Sequence, residues 1–203
     1  MKQTRLNQME GQILKKMDTE QGAHVVSRME EEYAILCQND SEKSPDLIRH
    51  LHNNIYPVVA AFRALLASGM PREDASALAQ NAFLELMEAP AASIQKLCRI
   101  PGFYRMVPWL FAKLMPKLFK KEAGFAFSFY PAEPGRVRFD MEACPYFKTC
   151  QELDCPEIAP VFCATDDICY GNMHPNLLWN RTQTIARGGK LCDFDLRIRK
   201  PHS

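Results

Sequence analysis

A thiol and two carboxylates stand at helical spacing in the segment Cys163-Ala-Thr-Asp166-Asp167. Positions three and four residues apart lie on one face of a helix, so the Cys163 thiol and both carboxylates lie close together. A carboxylate raises the pKa of a neighbouring thiol. The two kinds of group therefore need separate roles, for example a carboxylate that activates water or holds a cation. The structural alternative is a buried cysteine above a solvated acidic pair.

The end of the chain predicts a β-hairpin around Gly188-Gly189, with strands over 177–187 and 191–199. A two-residue turn pairs three positions of each strand: Ile185 with Cys192, Gln183 with Phe194, and Arg181 with Leu196. The face that they share is apolar apart from Arg181 and Gln183, so this pattern predicts an arginine on the buried face of a sheet.

A guanidinium on a buried face costs free energy unless an anion or a polar group meets it. The helix that ends before Gly171 is the nearest element in sequence to cover this face. We therefore expect Asp166 to meet Arg181 in the free protein, and a substrate carboxylate to take its place during turnover. The alternative is that the edge of the sheet lets Arg181 reach solvent.

Eight cysteines are unusual for this composition, and six of them fall in the last third: Cys144, Cys150, Cys155, Cys163, Cys169 and Cys192. No spacing among them is the C-x2-C that marks a strong zinc or iron–sulfur site. Three or four thiols that converge in space remain the alternative. We expect free thiols, no bound metal and no cofactor.

The histidines give weaker indications. His174 precedes Pro175 in a predicted loop, where it is either a general acid or base or simply a solvated side chain. His50 and His52 are two residues apart on a predicted helix and do not share a face, so we expect both on the surface.

The elements that must position these residues follow two patterns. Residues 1–121 predict helices over about 6–37, 45–69 and 71–87 and a shorter one over 91–99, with Pro57 kinking or dividing the second. Residues 122–200 change to a period of two, which predicts a first hairpin with Phe127 and Phe139 on its buried face, and a helix over 157–170 follows. The sequence thus predicts one α+β domain over 1–203. Its N-terminal helical region packs on a four-stranded antiparallel sheet made of two hairpins with a helix between them.

Composition limits the class of protein. Hydrophobic residues are 47% and charged residues 24% of 203, which excludes a disordered chain or a coiled coil. Lysine plus arginine is 25 and aspartate plus glutamate 24, so the net charge of +1 does not indicate nucleic acid as a partner. We expect no membrane span and no export signal, and therefore a cytoplasmic protein. A homo-oligomer is compatible with this composition.

The segment 96–121 contains seven basic residues and no acidic one, interleaved with aromatic and aliphatic side chains. Pro108 and Pro116 interrupt a continuous amphipathic surface. A core helix with a solvated basic face is therefore favoured over a helix that binds a membrane surface or an anionic ligand.

The C-terminal run Arg-Thr-Gln-Thr-Ile-Ala-Arg-Gly-Gly-x-x-Cys-Asp-Phe, over 181–194, resembles the signature of the L-2-amino-thiazoline-4-carboxylic acid hydrolase family. Cys155-Pro156-Glu157 and Phe162-Cys163-x-x-Asp166 are also similar to the pattern of that family. The resemblance covers roughly residues 144–196.

This resemblance implies the hydrolytic opening of a cyclic, amidine-like C–N bond next to sulfur in a small carboxylated substrate. Such chemistry needs a carboxylate anchor, an activated nucleophile and a proton for the leaving nitrogen. Arg181, with Gln183 and Thr184, is expected to bind substrate. Either a thiol attacks (Cys163 or Cys192), or Asp166 activates water. Asp193 or His174 is expected to supply the proton.

The order hairpin–helix–hairpin is also similar to the ligand-binding domains of the 4-vinyl-reductase type, which often hold zinc through cysteines around the last hairpin. Arg181 and Thr184 stand where such ligands would lie. The alternative function is therefore a non-catalytic small-molecule-binding or sensor module, and a metal-binding carrier is a third.

Overall fold

The computed structural model of this chain describes residues 4–38 and 40–199. The backbone forms two compact units, and each is made of two separate stretches of sequence. One unit runs to Leu86 and includes Lys148–Val161; the other comprises Met87–Phe147 and the chain from Phe162 onward. The single domain expected from the sequence stays a prediction.

Five α-helices lie in the first stretch of the first unit, where the sequence predicts helices. They are α1 (Arg5–Leu14), α2 (Thr19–Cys37), α3 (Pro45–His50), α4 (Tyr56–Ala67) and α5 (Arg72–Glu85). Side chains cap three of them at the N-terminus: Thr4, Asp18 and Ser44 each accept a hydrogen bond from a backbone N–H three residues later. Helix α4 is apolar on nearly all sides and supplies much of the core of this unit.

A π-helix over Leu51–Ile55 joins α3 to α4. Pro57 has no N–H to donate to the carbonyl of Asn53, and this carbonyl accepts a hydrogen bond from Arg5 Nε at 3.2 Å instead. The sequence-based expectation that Pro57 kinks or divides this segment is confirmed. The surface position expected for His50 is wrong, because His50 is 8% exposed.

The second unit contains parts of the two helices between the hairpins, and it also carries two complete helices and a sheet. The helices are α6 (Glu88–Cys98) and α7 (Val107–Leu118), and the strands are β1 (Ala126–Phe129), β2 (Arg136–Ala143), β3 (Leu177–Asn180) and β4 (Cys192–Ile198). All neighbouring strands are antiparallel, in the order β1-β2-β4-β3. The predicted α+β class with a four-stranded sheet of two hairpins is therefore confirmed.

Two helices, not one, lie between the hairpins: α8 (Pro145–Glu152) and α9 (Pro160–Tyr170). The start that the sequence predicts at residue 157 is three residues early. Pro160 has no N–H for an intrahelical bond and fits only the first turn, so α9 begins there. The residues before it form a 3₁₀ turn over Pro156–Ile158.

The second hairpin is shorter than predicted. Strand β3 ends at Asn180, and Trp179 rather than Arg181 pairs with Leu196. The predicted pairs of Arg181, Gln183 and Ile185 are therefore wrong as ladder pairs; these residues lie in a loop that contains a 3₁₀ turn over Ile185–Arg187. Relative to the prediction, the register of the ladder is shifted by two residues, which preserves the face of the side chains that remain in the strands.

The basic segment 96–121 contains the whole of α7. Val107, Pro108 and Met115 are its buried residues, whereas Trp109 is 57% exposed. Within the described ranges, none of the helices combines the length and the apolar run that crossing a bilayer requires.

Candidate functional site

The guanidinium of Arg181 is the centre of a buried polar cluster. Its side chain is 5% exposed. Nη1 lies 3.3 Å from Asp166 Oδ2, and Nη2 lies 2.8 Å from Asp167 Oδ2. Nη2 also donates to the carbonyl of Cys163 at 3.0 Å. One arginine therefore binds two carboxylates and one carbonyl of α9 in a fork geometry that lysine does not reproduce.

Aromatic rings of the sheet hold this cluster in place. The Arg181 guanidinium carbon lies 5.3 Å from the centre of the Phe194 ring, a cation–π contact. Trp179 Nε1 donates to Asp167 Oδ1 at 3.2 Å. The Asp167 carboxylate is thus fixed at both oxygens, and strands β3 and β4 set the position of the acidic face of α9.

Asp193 shapes the loop that follows Arg181. Its carboxylate accepts hydrogen bonds from the backbone N–H groups of Thr182 at 2.9 Å and Gln183 at 2.8 Å, and from the Thr182 hydroxyl at 2.5 Å. These bonds replace the ladder bonds of a continued strand. Burial opposes ionisation of Asp193, but the hydrogen bonds from Thr182 and Gln183 lower its pKa.

A cavity of about 390 Å³ opens beside this loop. Its lining is polar and is made of Asp167, Arg181, Thr182, Gln183, Thr184, Arg187, Gly188 and Gly189. The three residues expected to bind substrate, Arg181, Gln183 and Thr184, are thus brought together. A volume of this size suits a small ring compound with a carboxylate.

Thr184 carries an unusual hydroxyl. The residue is 5% exposed, and its Oγ1 is buried without a hydrogen-bond partner at good geometry among the described residues. It lies near enough to Cys163 to lower the pKa of that thiol slightly against the effect of burial. An orphaned buried hydroxyl in a cavity wall is costly unless a ligand or a water meets it.

Asp166 is the carboxylate whose acidity changes most. Burial raises its pKa to about 7, the nearby Asp167 adds to the rise, and Arg181 counteracts it. The side chain is 29% exposed, so water can still reach the group. A carboxyl group with this pKa exchanges a proton near neutral pH, which is the property of a general base.

The thiols of the second unit are shifted towards the neutral form. Burial raises the pKa of Cys192 to about 11 and that of Cys144 to about 12. Burial also raises the pKa of Cys163, although Arg181 opposes it. Cys192 Sγ accepts a hydrogen bond from Ile185 N–H at 3.3 Å. The eight residues that line the cavity include neither a cysteine nor Asp166; Asp166 adjoins the cavity through its ion pair with the lining residue Arg181.

His174 lies apart from this cluster. Its ring stacks on Tyr104, with centroids 4.4 Å apart, and its Nδ1 accepts a hydrogen bond from Asn176 N–H at 3.0 Å. In the described part of the chain these contacts do not include Arg181 or Asp166. The structure thus brings Arg181, Cys163, Asp166, Gln183, Thr184 and Asp193 into one neighbourhood, with Cys192 adjoining the loop, and leaves His174 outside it.

Five of the eight lining residues were not predicted as site residues, and two of these five, Asp167 and Arg187, are charged. Asp167 was interpreted only as a neighbour of Asp166 on the helix face, yet it reaches the cavity. Arg187 was placed in a strand before the turn, but the 3₁₀ turn makes it a second guanidinium of the cavity. For Asp167, the helical spacing from Cys163 was a signal in the sequence. For Arg187, the sequence contained no such signal.

Two comparisons with known proteins bear on the family of this chain. A search of curated proteins found no match to the chain. The model of the family described as L-2-amino-thiazoline-4-carboxylic acid hydrolase matches residues 49–196, which extends the resemblance well into the helical region. This match includes the whole loop, the cavity and α9, and it spans more than half of the chain. The protein therefore belongs to the L-2-amino-thiazoline-4-carboxylic acid hydrolase family.

Proposed function

We propose that the protein hydrolyses a small cyclic amidine that carries a carboxylate, such as 2-amino-thiazoline-4-carboxylate, in the cavity beside Arg181. The single observation that carries this proposal is the Arg181 guanidinium, 5% exposed, at the wall of a polar cavity and bound to two carboxylates. One of these carboxylates has a pKa raised to about 7 by burial. The family of the chain supports the same reaction class.

The cavity offers two guanidinium groups to a substrate carboxylate. Arg181 already binds Asp166 and Asp167, whereas Arg187 is exposed on the loop. We assign Arg187 the outer contact with the carboxylate and Arg181 the inner one, since a planar fork binds a carboxylate at two oxygens. The Thr184 hydroxyl, which has no hydrogen-bond partner at good geometry among the described residues, then bonds to a heteroatom of the ring.

Asp166 is the base in this proposal. At neutral pH it is close to half ionised, so it can take a proton from a water molecule that attacks the amidine carbon. Asp167, held by Arg181 and Trp179, orients that water at the cavity wall. Once protonated, Asp166 can return the proton to the leaving atom. One carboxyl group thus supplies both proton transfers.

The remaining candidates fit supporting roles. A thiol attack through Cys163 or Cys192 is disfavoured because burial raises the pKa of both thiols, and the thiolate is the nucleophile. Asp193 has a lowered pKa and is bonded to the loop, which suits an anchor rather than a proton donor. His174 contacts Tyr104 rather than the cluster.

The test is the incubation of the purified chain with 2-amino-thiazoline-4-carboxylate, followed by nuclear magnetic resonance of the product. Opening at the ring C–N bond, which we propose, releases an α-amino group, whereas opening at the C–S bond releases a thiol that a disulfide reagent detects. Asp166→Asn should lower kcat by roughly 10²–10⁴-fold. Glu30→Gln, an exposed change on α2, is the matched control.

A sensor or binding module predicts a different result. It would bind the thiazoline, as calorimetry shows, yet release no product, and Asp166→Asn would leave this pattern unchanged. Binding without turnover by the wild-type chain would therefore contradict the hydrolase and favour the module.

A further inference from the structure

Three potential metal ligands meet in the first unit, in a part of the fold that the cavity does not involve. They are Cys37 Sγ, a carboxylate oxygen of Asp40 and an imidazole nitrogen of His52, and these atoms all lie within 4.8 Å of one another. Cys37 is the last residue of α2, Asp40 follows it in the connection to α3, and His52 lies on the π-helix. Two of these residues precede the part of the chain that the family model matches.

We propose that Cys37, Asp40 and His52 form a binding site for a single zinc ion. Thiolate sulfur, imidazole nitrogen and carboxylate oxygen are the three kinds of ligand that zinc takes in proteins. Three protein ligands leave a fourth tetrahedral position for water. The softer sulfur and nitrogen atoms disfavour Mg²⁺ and Ca²⁺, which bind oxygen.

The surroundings of Asp40 resemble the outer shell of a metal site. Its Oδ1 accepts a hydrogen bond from the Tyr56 hydroxyl at 2.8 Å and lies 3.1 Å from Lys43 Nζ. Its Oδ2 lies 2.5 Å from His52 Nε2. One oxygen is thus held by the protein, while the other is aimed at the imidazole nitrogen that would share the metal. Carboxylate ligands are commonly oriented by such hydrogen bonds.

Only a small movement converts this pair into ligands of one ion. In a tetrahedral site with bonds of about 2.0 Å, two ligand atoms stand roughly 3.3 Å apart. His52 Nε2 and Asp40 Oδ2 therefore need to separate by less than an ångström from their present contact. The Tyr33 ring packs edge-on against both His52 and Tyr56, and this packing holds the imidazole of His52 next to Asp40.

The backbone supplies a further observation. The π-helix over Leu51–Ile55 offsets its two ends relative to a regular helix, and His52 sits within it. Single π-turns are costly in isolation and occur frequently at functional sites. Metal bound here would join the end of α2 to the π-turn, so zinc should stabilise the first unit by linkage.

Alkylation of the wild-type protein provides the first test. Cys37 and Cys144 are the two partly exposed thiols of the described chain, and the other six are buried. The metal-free chain is treated with iodoacetamide in the presence and absence of Zn²⁺, and peptides are mapped by mass spectrometry. At a zinc concentration of 100 times Kd, modification of Cys37 should slow roughly 100-fold. Cys144 should react at the same rate in both samples.

Cobalt substitution provides the second test. Co²⁺ should bind at one equivalent and produce a thiolate-to-cobalt charge-transfer band with tetrahedral visible bands. Cys37→Ser and His52→Gln should each abolish this spectrum, while Cys98→Ser, a change to a thiol outside the site, should retain it. Circular dichroism establishes that the variants fold. Equal alkylation of Cys37 with and without zinc, or a cobalt spectrum that survives Cys37→Ser, would overturn the proposal.

Neither readout uses hydrolysis, so these results are independent of the function proposed for the cavity.

Discussion

Thr182 and Asp193 are joined by two hydrogen bonds, one from the backbone N–H at 2.9 Å and one from the hydroxyl at 2.5 Å. Asp193 lies on β4, and its carboxylate accepts a hydrogen bond from the Thr182 N–H. This backbone group is therefore not available to extend the β3–β4 ladder beyond Asn180. The chain leaves the sheet after Asn180, and the loop that results forms the wall of the cavity.

Removing the Asp193 carboxylate should loosen this wall. For Asp193→Ala we expect a loss of about 1.5–3 kcal/mol in the free energy of unfolding, because hydrogen bonds to a charged group are broken. We also expect a higher KM, because Arg181 and Thr184 lose their placement. Urea denaturation and steady-state kinetics measure the two effects. Thr182→Val removes one of the bonds and should show a smaller loss; an unchanged KM in Asp193→Ala would contradict this role.

Replacing Arg181 should be harmful even when its charge is kept. Arg181→Ala leaves Asp166 and Asp167 without their shared cation, so the pKa of Asp166 should rise further and kcat/KM at neutral pH should fall by roughly 10–150-fold. Arg181→Lys should recover little, because an ammonium cannot bind both carboxylates and the Cys163 carbonyl. Kinetics across pH measure both. If Arg181→Lys were as active as wild type, the fork geometry would have no importance.

The burial of this arginine was predictable although its pairing was not. Alternation along the first strand of the last hairpin placed Arg181 on the apolar face, and its side chain is indeed buried although it lies one residue beyond β3. The predicted two-residue turn failed because Asp193 bonds to backbone groups ten and eleven residues earlier. Glycine pairs indicate a turn from local preference alone, and a long-range side-chain bond overrode that preference.

The pH dependence of activity should report Asp166. Its ionised form is the base, so kcat/KM should rise with pH and reach a plateau above about 7, where the pKa of the group lies. Asp166→Asn should remove this rise along with most of the activity. A profile of kcat/KM from pH 5 to pH 9 measures both. The same rise in the variant would assign the titration to another group.

The free energy of unfolding should also depend on the protonation of Asp166, but it should fall as pH rises, whereas kcat/KM should rise. The pKa of this carboxyl is about 7 in the folded chain and about 3.9 in an unfolded one, so the folded state holds the extra proton between those values. Stability from this group is complete below about pH 4 and is lost as pH rises through 7. The difference in Tm between Asp166→Asn and wild type should therefore increase from about pH 5 to pH 8 in favour of the variant. A constant difference in calorimetry would contradict the raised pKa.

The thiols should be dispensable for the chemical step. Cys163→Ser and Cys192→Ser should each retain kcat within about threefold, because both thiols are neutral near pH 7 and water is the nucleophile. Mass spectrometry of the intact protein during turnover should show no covalent adduct. A variant that folds normally but loses kcat would identify the nucleophile and favour the covalent route.

Other parts of the structure lay beyond sequence reasoning for a similar reason. The sequence favoured exposed positions for His50 and His52 because two residues on a helix cannot share a face. The π-turn around His52 changes that geometry, and the contact with Asp40 spans twelve residues. Arg187 reached the cavity through a 3₁₀ turn that its neighbours do not indicate. The local sequence pattern identifies helices and strands well, whereas contacts between residues in different loops depend on tertiary packing.

The interleaved order of the two units has a consequence during synthesis. Lys148–Val161 belongs to the same unit as the first 86 residues. The first unit therefore cannot be complete until this segment has been synthesised, which happens after Met87–Phe147 of the second unit. The carbonyl groups of Leu153 and Asp154 accept hydrogen bonds from Arg63 and Arg72, at 3.1 and 2.7 Å. A polypeptide released after Leu86 would leave both guanidinium groups without these acceptors. Neither unit is encoded by one continuous stretch of the gene. Two fragments made by dividing the gene at any single codon therefore cannot each contain one complete unit.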